Sequence, residues 1–322
     1  MRISTGFTHF TIDRLAEGIF AAIHQPGGAA FSNAGILDLG RQVLLFDTFE
    51  TLSAGKELRR ACLELTGRAP TWVVNSHKHG DHWGGNQVFA QEAILLSTAG
   101  TRSGILAQAA ELEKLHADPQ ALEKQVQEQQ TRLDRTTDPE ERAALESRLV
   151  RDRTRLSDLS EFRICPPALT FTSRLTVHGG RYTAELHSLG PAHTSEDCIL
   201  LIPEAGIVFT GDVAFFARPA FMAADCSPQE WAQRLADLGT APYPTVVPGH
   251  GPVGSRADLD LARRYILAVE EMVAGAIRDG RTLDETLKLP LPEGFDFLLL
   301  GRARHEANLR NRFSAMVARS GG

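Results

Sequence analysis

Three histidines and an aspartate within six residues constrain this chain more than any other feature of its sequence. His77, His79, Asp81 and His82 follow an apolar run in the segment 73–86. Side chains two positions apart on extended backbone point the same way, so His77 and His79 can chelate one ion. A glycine-assisted bend then lets Asp81 and His82 face a neighbouring ion. Imidazole and carboxylate ligands suit zinc, iron or manganese, so the segment predicts a metal-binding loop.

Three further ligand-type residues follow other apolar, strand-like runs. His193 lies on a turn, Asp212 follows Ile207-Val208-Phe209, and His250 lies between two glycines after Val246-Val247. The full set is too large for one tetrahedral zinc ion and suits two ions that share a bridge.

These motifs resemble those of metallo-β-lactamase-fold hydrolases, whose H-x-H-x-D-H loop stands here at His77 to His82. The resemblance covers residues 15 to 100 and 165 to 255. It implies two divalent ions, zinc first and iron or manganese as alternatives. The implied ligands of the first ion are His77, His79 and His193; those of the second are Asp81, His82 and His250; Asp212 bridges the two. Asp47 matches an early strand-end aspartate that supports a ligand, although a turn or helix cap would also explain it.

Alternating strand-like and helix-like segments predict an α/β fold, and the resemblance specifies a four-layer αββα sandwich. We expect strands at 18–23, 30–38, 42–47, 71–75 and 93–97, and helices at 52–66 and from Gly85. Residues 1–255 form the predicted catalytic domain and 256–322 a C-terminal helical extension packed on it, with helices at 258–278 and 305–318.

Residues 101–163 interrupt this alternation. Asp118-Pro119 and Asp138-Pro139 supply caps and first-turn prolines for two helices, which we expect to form an antiparallel hairpin. The sequence leaves two roles open for this insertion. It covers an edge of the sandwich or mediates a homodimer, or it roofs the metal cleft and restricts substrate size.

Composition agrees with a soluble enzyme and leaves small neutral or anionic substrates open. The net charge of −6 and the lack of a basic stripe argue against a nucleic-acid partner. No window approaches the length of a membrane span, and the start of the chain lacks a signal-peptide pattern. Four widely spaced cysteines suit reduced thiols, so we expect a cytoplasmic protein.

A hydroxide shared between two ions would attack a carbonyl-type substrate such as an ester, thioester, lactone or amide. Asp81 and Asp212 are the candidate catalytic residues for moving a proton to the leaving group. An aspartate at position 212 resembles glyoxalase II and lactonases more than true β-lactamases. β-Lactamase activity, a persulfide-dioxygenase-like mononuclear iron site and a non-catalytic binding protein are the alternatives. Sequence does not identify the substrate.

Several residues near the motifs have more ordinary explanations. We expect Lys78 to point away from the ions into solvent, and Trp83 and Phe216 to be candidates for an apolar pocket wall. His305 is interpreted as a surface or interfacial histidine rather than a ligand. The same interpretation applies to His9, His24, His116, His178 and His187.

Overall fold

Two mixed β-sheets form the centre of the molecule. A computed structural model describes residues 1–3, 6–108, 111, 114, 115, 117–296, 298 and 301–320. The first sheet has eight strands in chain order: β1 Arg2–Ile3, β2 Phe10–Ala16, β3 Ile19–His24, β4 Ala34–Asp38, β5 Val43–Phe46, β6 Trp72–Val74, β7 Ile94–Thr98 and β8 Leu169–Phe171. Strands β1 to β5 pair antiparallel and β5 to β8 pair parallel.

The second sheet has five strands in the order β13-β12-β11-β10-β9. Its members are β9 Arg174–His178, β10 Thr183–Gly190, β11 Asp197–Ile202, β12 Ile207–Phe209 and β13 Thr245–Val247. Only β12 and β13 pair parallel. The two sheets bury a shared apolar layer in which Phe46 of β5 meets Phe209 of β12, with ring centroids 6.1 Å apart.

Helices cover the outer face of each sheet and complete the predicted αββα sandwich. On the first sheet lie α1 Leu52–Thr66, α2 Gly80–Trp83, α3 Asn86–Phe89 and α4 Ala99–Ala107. Helix α1 starts at its cap Thr51 and ends at Gly67, whose φ of 72° is the left-handed conformation that glycine adopts readily. On the second sheet lie α7 Pro228–Thr240, α8 Arg256–Arg278, α9 Leu283–Thr286 and α10 Gly301–Ser320. Trp231, Ile266 and Leu309 place α7, α8 and α10 in one core with this sheet.

The insertion forms the predicted helical hairpin from α5 Pro119–Arg135 and α6 Pro139–Asp158. The side chains of Asp118 and Asp138 cap the two helices, and each helix starts with a proline. Leu133, Leu145 and Leu149 form a small apolar cluster between the helices. The hairpin therefore stabilises itself little and depends on its contacts with the sandwich.

The structure departs from the sequence expectation near the N-terminus. The strand expected over 30–38 begins only at Ala34, because Phe31 has a φ of 68° and Asn33 bonds to the loop around residue 250. Strand β2 was not predicted, although Phe10 and Ile12 alternate with polar residues. The proposed domain boundary at 255 stays a prediction. No helix in the described ranges is long and apolar enough to span a bilayer.

Candidate metal centre

The candidate ligands gather at one edge of the sandwich because the ends of five strands meet there. The loop after β6 carries His77 to His82, and the turn between β10 and β11 carries His193. Asp212 follows β12 and His250 follows β13. All seven predicted ligands lie in two neighbouring groups, one of His77, His79, His193 and Asp212 and the other of Asp81, His82 and His250.

The first group has the spacing of a small metal site. His79 Nδ1 lies 3.1 Å from His77 Nε2 and 2.9 Å from His193 Nε2. Asp212 Oδ2 lies 3.6 Å from His77 Nε2 and 3.3 Å from His193 Nε2. Ligands about 2.0–2.1 Å from a tetrahedral zinc ion are about 3.3–3.4 Å from one another. A single ion therefore fits between these four atoms.

The second group shares the same aspartate. Asp212 Oδ1, the oxygen turned away from the first group, lies 3.1 Å from His82 Nε2 and 3.2 Å from His250 Nε2. Asp81 Oδ2 lies 3.7 Å from His82 Nε2 and 3.3 Å from His250 Nε2. Each oxygen of Asp212 therefore faces a different set of histidines.

Unsatisfied polar atoms show that the centre fits a metal ion. His82 Nε2 and Asp212 Oδ1 are buried and make no hydrogen bond with any described residue. Buried polar atoms without partners are costly, and a coordinated cation removes that cost. The imidazole and carboxylate donors also match divalent transition metals.

Asp47 supports the second group from behind, in the position that the resemblance implied. It is buried, and its Oδ2 lies 2.7 Å from His82 Nδ1, the ring nitrogen opposite the candidate ligand atom. Ser76 donates to Asp47 through its backbone N–H and its hydroxyl, each at 2.8 Å. A carboxylate in this position fixes the orientation of the imidazole and increases its basicity.

Two glycines allow the backbone to approach the centre closely. A Cβ atom at Gly249 would lie 2.1 Å from Asp212 Oδ1, and one at Gly211 would lie 2.6 Å from the side chain of Ser76. Gly211 also has a φ of 52°. The position of Asp212 therefore depends on the absence of side chains at both positions.

Burial and neighbouring charges set the protonation of the centre. Burial lowers the pKa of His193 to about 3 and keeps the pKa of His77 well below its usual value. Burial alone would raise the pKa of Asp212, but the positive charges of His250 and His82 outweigh it and hold that pKa well below its usual value. Neutral imidazoles and an ionised carboxylate are the forms that bind metals, so His77, His193 and Asp212 already have the ligand form. Asp212 outweighs burial and raises the pKa of His82 and His250, so metal binding at the second group must release protons.

The residues beside the motifs differ in part from the expectation. Lys78 points away from the centre as predicted, but it is only partly exposed, and its Nζ pairs with Asp225 Oδ2 at 2.5 Å. Trp83 is buried, and its Nε1 donates to the carbonyl of Lys78. Phe216 is buried in the core against Gly254 and also lines a small cavity of about 20 Å³, so the pocket-wall hypothesis for it stays a prediction. Phe221 lies beside the first ligand group, with its ring centroid 6.3 Å from that of His79 and 6.4 Å from that of His193.

The remaining histidines stay outside the two ligand groups. The surface interpretation of His305 is wrong, because it is 3% exposed and its Nδ1 lies 3.2 Å from the hydroxyl of Tyr265. Nδ1 of His9 accepts from Ala29, and His187 pairs with Glu185. His178 is exposed, and His116 lies outside the described residues.

Sequence reasoning missed three basic residues close to the centre. His24 accepts a hydrogen bond at Nδ1 from the Phe31 N–H, and burial, followed by the charges of Arg218 and His250, lowers its pKa to about 3. Arg218 and Arg304 are partly buried within the field of Asp212 and Asp81. None of the three belongs to a motif, so no local pattern indicated them.

The helical hairpin lies directly beside the metal loop. Arg155 of α6 pairs with the buried Glu50, and Asp158 Oδ2 accepts from the Leu52 N–H at 3.0 Å. A cavity of about 390 Å³ separates the hairpin from the loop. Gly80 and Trp83 of the loop line one side, and residues of α5 and α6, among them Leu122 and Arg151, line the other.

Comparison with known proteins agrees with this fold and centre. The family model of the metallo-beta-lactamase superfamily matches residues 27–102 and 106–250. The chain belongs to the metallo-β-lactamase superfamily, most of whose members are metal-dependent hydrolases. No curated protein matches the sequence.

Solved structures of the same fold are distant in sequence. A metallo-beta-lactamase from Pontibacter korlensis superposes with a TM-score of 0.55 at 16% identity, covering 79% of this chain and 99% of that one. The metallo-beta-lactamase FIM-1 from Pseudomonas aeruginosa, in a mono-zinc form, gives 0.54 at 16% identity and covers 81% and 96%. At this identity the similarity establishes the fold and leaves the substrate open.

Proposed function

We propose that this protein is a hydrolase of small carbonyl compounds that uses two divalent metal ions, with zinc as the first expectation. The observation that carries the proposal is the orientation of Asp212, whose two oxygens face two separate sets of histidines at 3.1–3.6 Å. A carboxylate shared in this way suits a bridge between two ions. Such a pair supplies an acidified water as nucleophile near neutral pH and polarises the carbonyl oxygen under attack.

The residues of the chain then have distinct tasks. Asp212 is 4% exposed and suits the fixed bridge, whereas the side chain of Asp81 is 23% exposed and reaches the cleft. We therefore assign to Asp81, rather than Asp212, the transfer of a proton to the leaving group. Asp47 and Ser76 keep His82 in place, and Phe221 excludes water beside His79 and His193.

The hairpin and the cavity beside the loop fit the interpretation in which the insertion limits substrate size. Trp83 forms one wall of that cavity and α6 the other, so a substrate that enters there is confined by the insertion. The alternative role in a homodimer stays a prediction.

Elemental analysis combined with a substrate panel tests the proposal. We expect two divalent ions per chain and hydrolysis of at least one thioester, ester, lactone or β-lactam. Exhaustive chelation should abolish that turnover, and added zinc should restore it. Turnover that survives complete metal removal would overturn the proposal.

A mononuclear iron oxygenase is the main competitor, since it would require only His77, His193 and Asp212. The intact second group of Asp81, His82 and His250 favours the hydrolase. One iron per chain together with thiol-dependent oxygen uptake would decide for the oxygenase.

A further inference from the structure

An apolar surface beside the metal loop is not used by the core of the protein. Trp83 of α2 is 4% exposed and Leu122 of α5 is 5% exposed, yet neither belongs to an apolar cluster in the part of the chain that the structure describes. Both line the cavity of about 390 Å³ between the hairpin and the loop, together with Phe162 and Ile164. A cavity of this size is typical of sites for small molecules.

The cavity adjoins the metal centre through the short helix α2. Gly80 and Trp83, its first and last residues, line the cavity, and the residues between them are the candidate ligands Asp81 and His82. None of the seven candidate ligands, all of which are described, lines the cavity itself. A ligand in the cavity would therefore contact the helix that carries part of the second ligand group without occupying the metal positions.

The walls of the cavity on the side of the loop are apolar. The ring centroids of Trp83 and Phe162 lie 6.4 Å apart, with the rings tilted by 39°. The Trp83 Nε1 donates to the Lys78 carbonyl at 2.8 Å, so the one polar atom of this side chain is already satisfied. An apolar group that replaces water against such walls is favoured by the hydrophobic effect.

The charged side chains on the side of the hairpin neutralise one another. Arg155 pairs with the buried Glu50, and Arg151 Nε lies 3.2 Å from Oδ1 of the buried Asp152. Glu111 is exposed at the edge of the cavity, where solvent screens its charge. The lining therefore needs no ion from outside to balance these two buried carboxylates.

Neither a cationic nor an anionic ligand suits this lining. A cation would face the guanidinium groups of Arg151 and Arg155. An anion would face the carboxylates of Glu50, Asp152 and Asp158, the last of which already accepts a backbone hydrogen bond at 3.0 Å. Either ion would also lose hydration on entering, which is costly. An uncharged group avoids both penalties.

We propose that this cavity binds an uncharged, apolar group of the substrate, a hydrocarbon chain or an aromatic ring, and so selects esters, thioesters or lactones that carry such a group. The proposal rests on the proposed hydrolase function in taking the ligand to be part of the substrate. Leu122 and the residues after α6 supply the outer wall, so the helical insertion provides this selectivity.

Binding of small alcohols to the metal-loaded protein tests the proposal without relying on catalysis. Calorimetric titrations would compare 1-butanol, 1-hexanol and 1-octanol, with hexylammonium and hexyl sulfate as charged analogues of 1-hexanol. We expect affinity to rise about tenfold for each added pair of methylenes, as burial of hydrocarbon predicts, and both ions to bind more weakly than 1-hexanol. Affinity that does not depend on chain length, or tighter binding of either ion, would overturn the proposal.

Variants of the wall locate the binding in this cavity. Leu122→Gln should weaken 1-hexanol binding about tenfold, because an amide replaces apolar surface. Leu267→Gln is the matched control, since Leu267 is 37% exposed on α8 and lies outside the cavity, and it should bind 1-hexanol as the wild type does. If Leu122→Gln does not fold, Ile164→Gln changes a partly exposed wall residue and should also weaken binding. Wild-type affinity in the wall variants that fold contradicts the proposal.

The two proposals can fail separately. Alcohol binding that depends on chain length and on Leu122 or Ile164, without hydrolysis of any carbonyl substrate, contradicts the hydrolase and supports the apolar site. Hydrolysis with the same KM for acetate and octanoate esters, unchanged in the wall variants, supports the hydrolase and contradicts the apolar site. Competitive inhibition of hydrolysis by 1-hexanol would support the assignment of the cavity to the substrate, and binding of 1-hexanol without inhibition would contradict it.

Discussion

At the scale of single residues, Asp212 is the side chain on which both ligand groups depend. Its oxygens approach His77 and His193 on one side and His82 and His250 on the other. Without Asp212, the histidines of both groups, and any cations that they bind, lose the carboxylate that they share. The centre is therefore more sensitive at this position than at any single histidine.

Asp212→Ala should lower the metal content from two ions to one or none and reduce kcat/KM at least about 1,000-fold, because both coordination sets lose an oxygen. Elemental analysis and steady-state kinetics would measure this. Lys78→Ala is the control, since Lys78 points to Asp225, and it should retain the full metal content. Wild-type metal content in Asp212→Ala would contradict the bridging assignment.

Gly249→Ala should impair metal binding without contact between the new methyl group and any metal. The added Cβ would lie 2.1 Å from Asp212 Oδ1 and must displace that oxygen. Gly239→Ala is a matched control, because no atom lies within 4 Å of a Cβ at that position. We expect metal affinity to fall at least about tenfold in the first variant only, as for other losses of ligand orientation.

At the scale of elements, the hairpin depends on a few polar contacts with the sandwich. The buried Glu50 faces Arg155, and burial raises the pKa of Glu50 while Arg155 lowers it. Loss of the arginine would leave a buried carboxyl group without its principal partner. The contact between Arg155 and the buried Glu50 thus stabilises the packing of α6 on the sandwich.

Arg155→Ala should lower the free energy of unfolding by about 1–2 kcal/mol, a value reduced from that of a fully buried pair because Arg155 is 44% exposed. Chemical denaturation would measure the change. Lys56→Ala breaks the exposed pair with Glu161 and should cost less than about 0.5 kcal/mol. Equal effects in the two variants would show that the Glu50 contact does not hold the hairpin.

The elements with strong local signals were predictable from sequence. Helix α1 matched its predicted bounds because Thr51 caps it and Gly67 ends it, and the hairpin helices carry their caps and prolines in the sequence. The strand bounds near residue 30 were less predictable, since Asn33 bonds to carbonyls more than 200 positions away. Such contacts leave no local pattern.

The candidate site divides in the same way. Its histidines and aspartates follow short motifs at strand ends, so spacing and chemistry indicate them together. Arg218 and Arg304 are separated by a long stretch of chain, and each resembles a surface arginine in its local sequence. The packing of Arg304 on the Phe221 ring, which no local pattern indicates, brings this arginine of α10 beside the ligand groups.

At the scale of the whole molecule, the C-terminal helix α10 stabilises the segment around Phe221, which lies next to the metal centre. Asn308 accepts from the Met222 N–H and donates to the Ala220 carbonyl, so it holds both sides of Phe221. On the same helix as Asn308, Arg312 pairs with Glu270 of α8. The position of Phe221 therefore depends on residues far from the metal motifs.

Arg312→Met should destabilise the fold by about 3–5 kcal/mol, because it leaves the carboxylate of Glu270 buried and unpaired. Replacing both partners, as in Glu270→Met with Arg312→Met, should recover most of that loss. Denaturant unfolding of the single and double variants would measure both effects. A double variant less stable than Arg312→Met would contradict this account.

The carboxylate of Glu140, at the start of α6, accepts hydrogen bonds from the backbone N–H groups of Arg302 and Ala303 at the start of α10. A carboxylate at a helix N-terminus is favourable for α10. These hydrogen bonds join α6 to α10, although the contacting residues are separated by more than half of the sequence. A chimera that grafts one of these helices onto a related scaffold should include the other, because either helix alone would lack these hydrogen bonds.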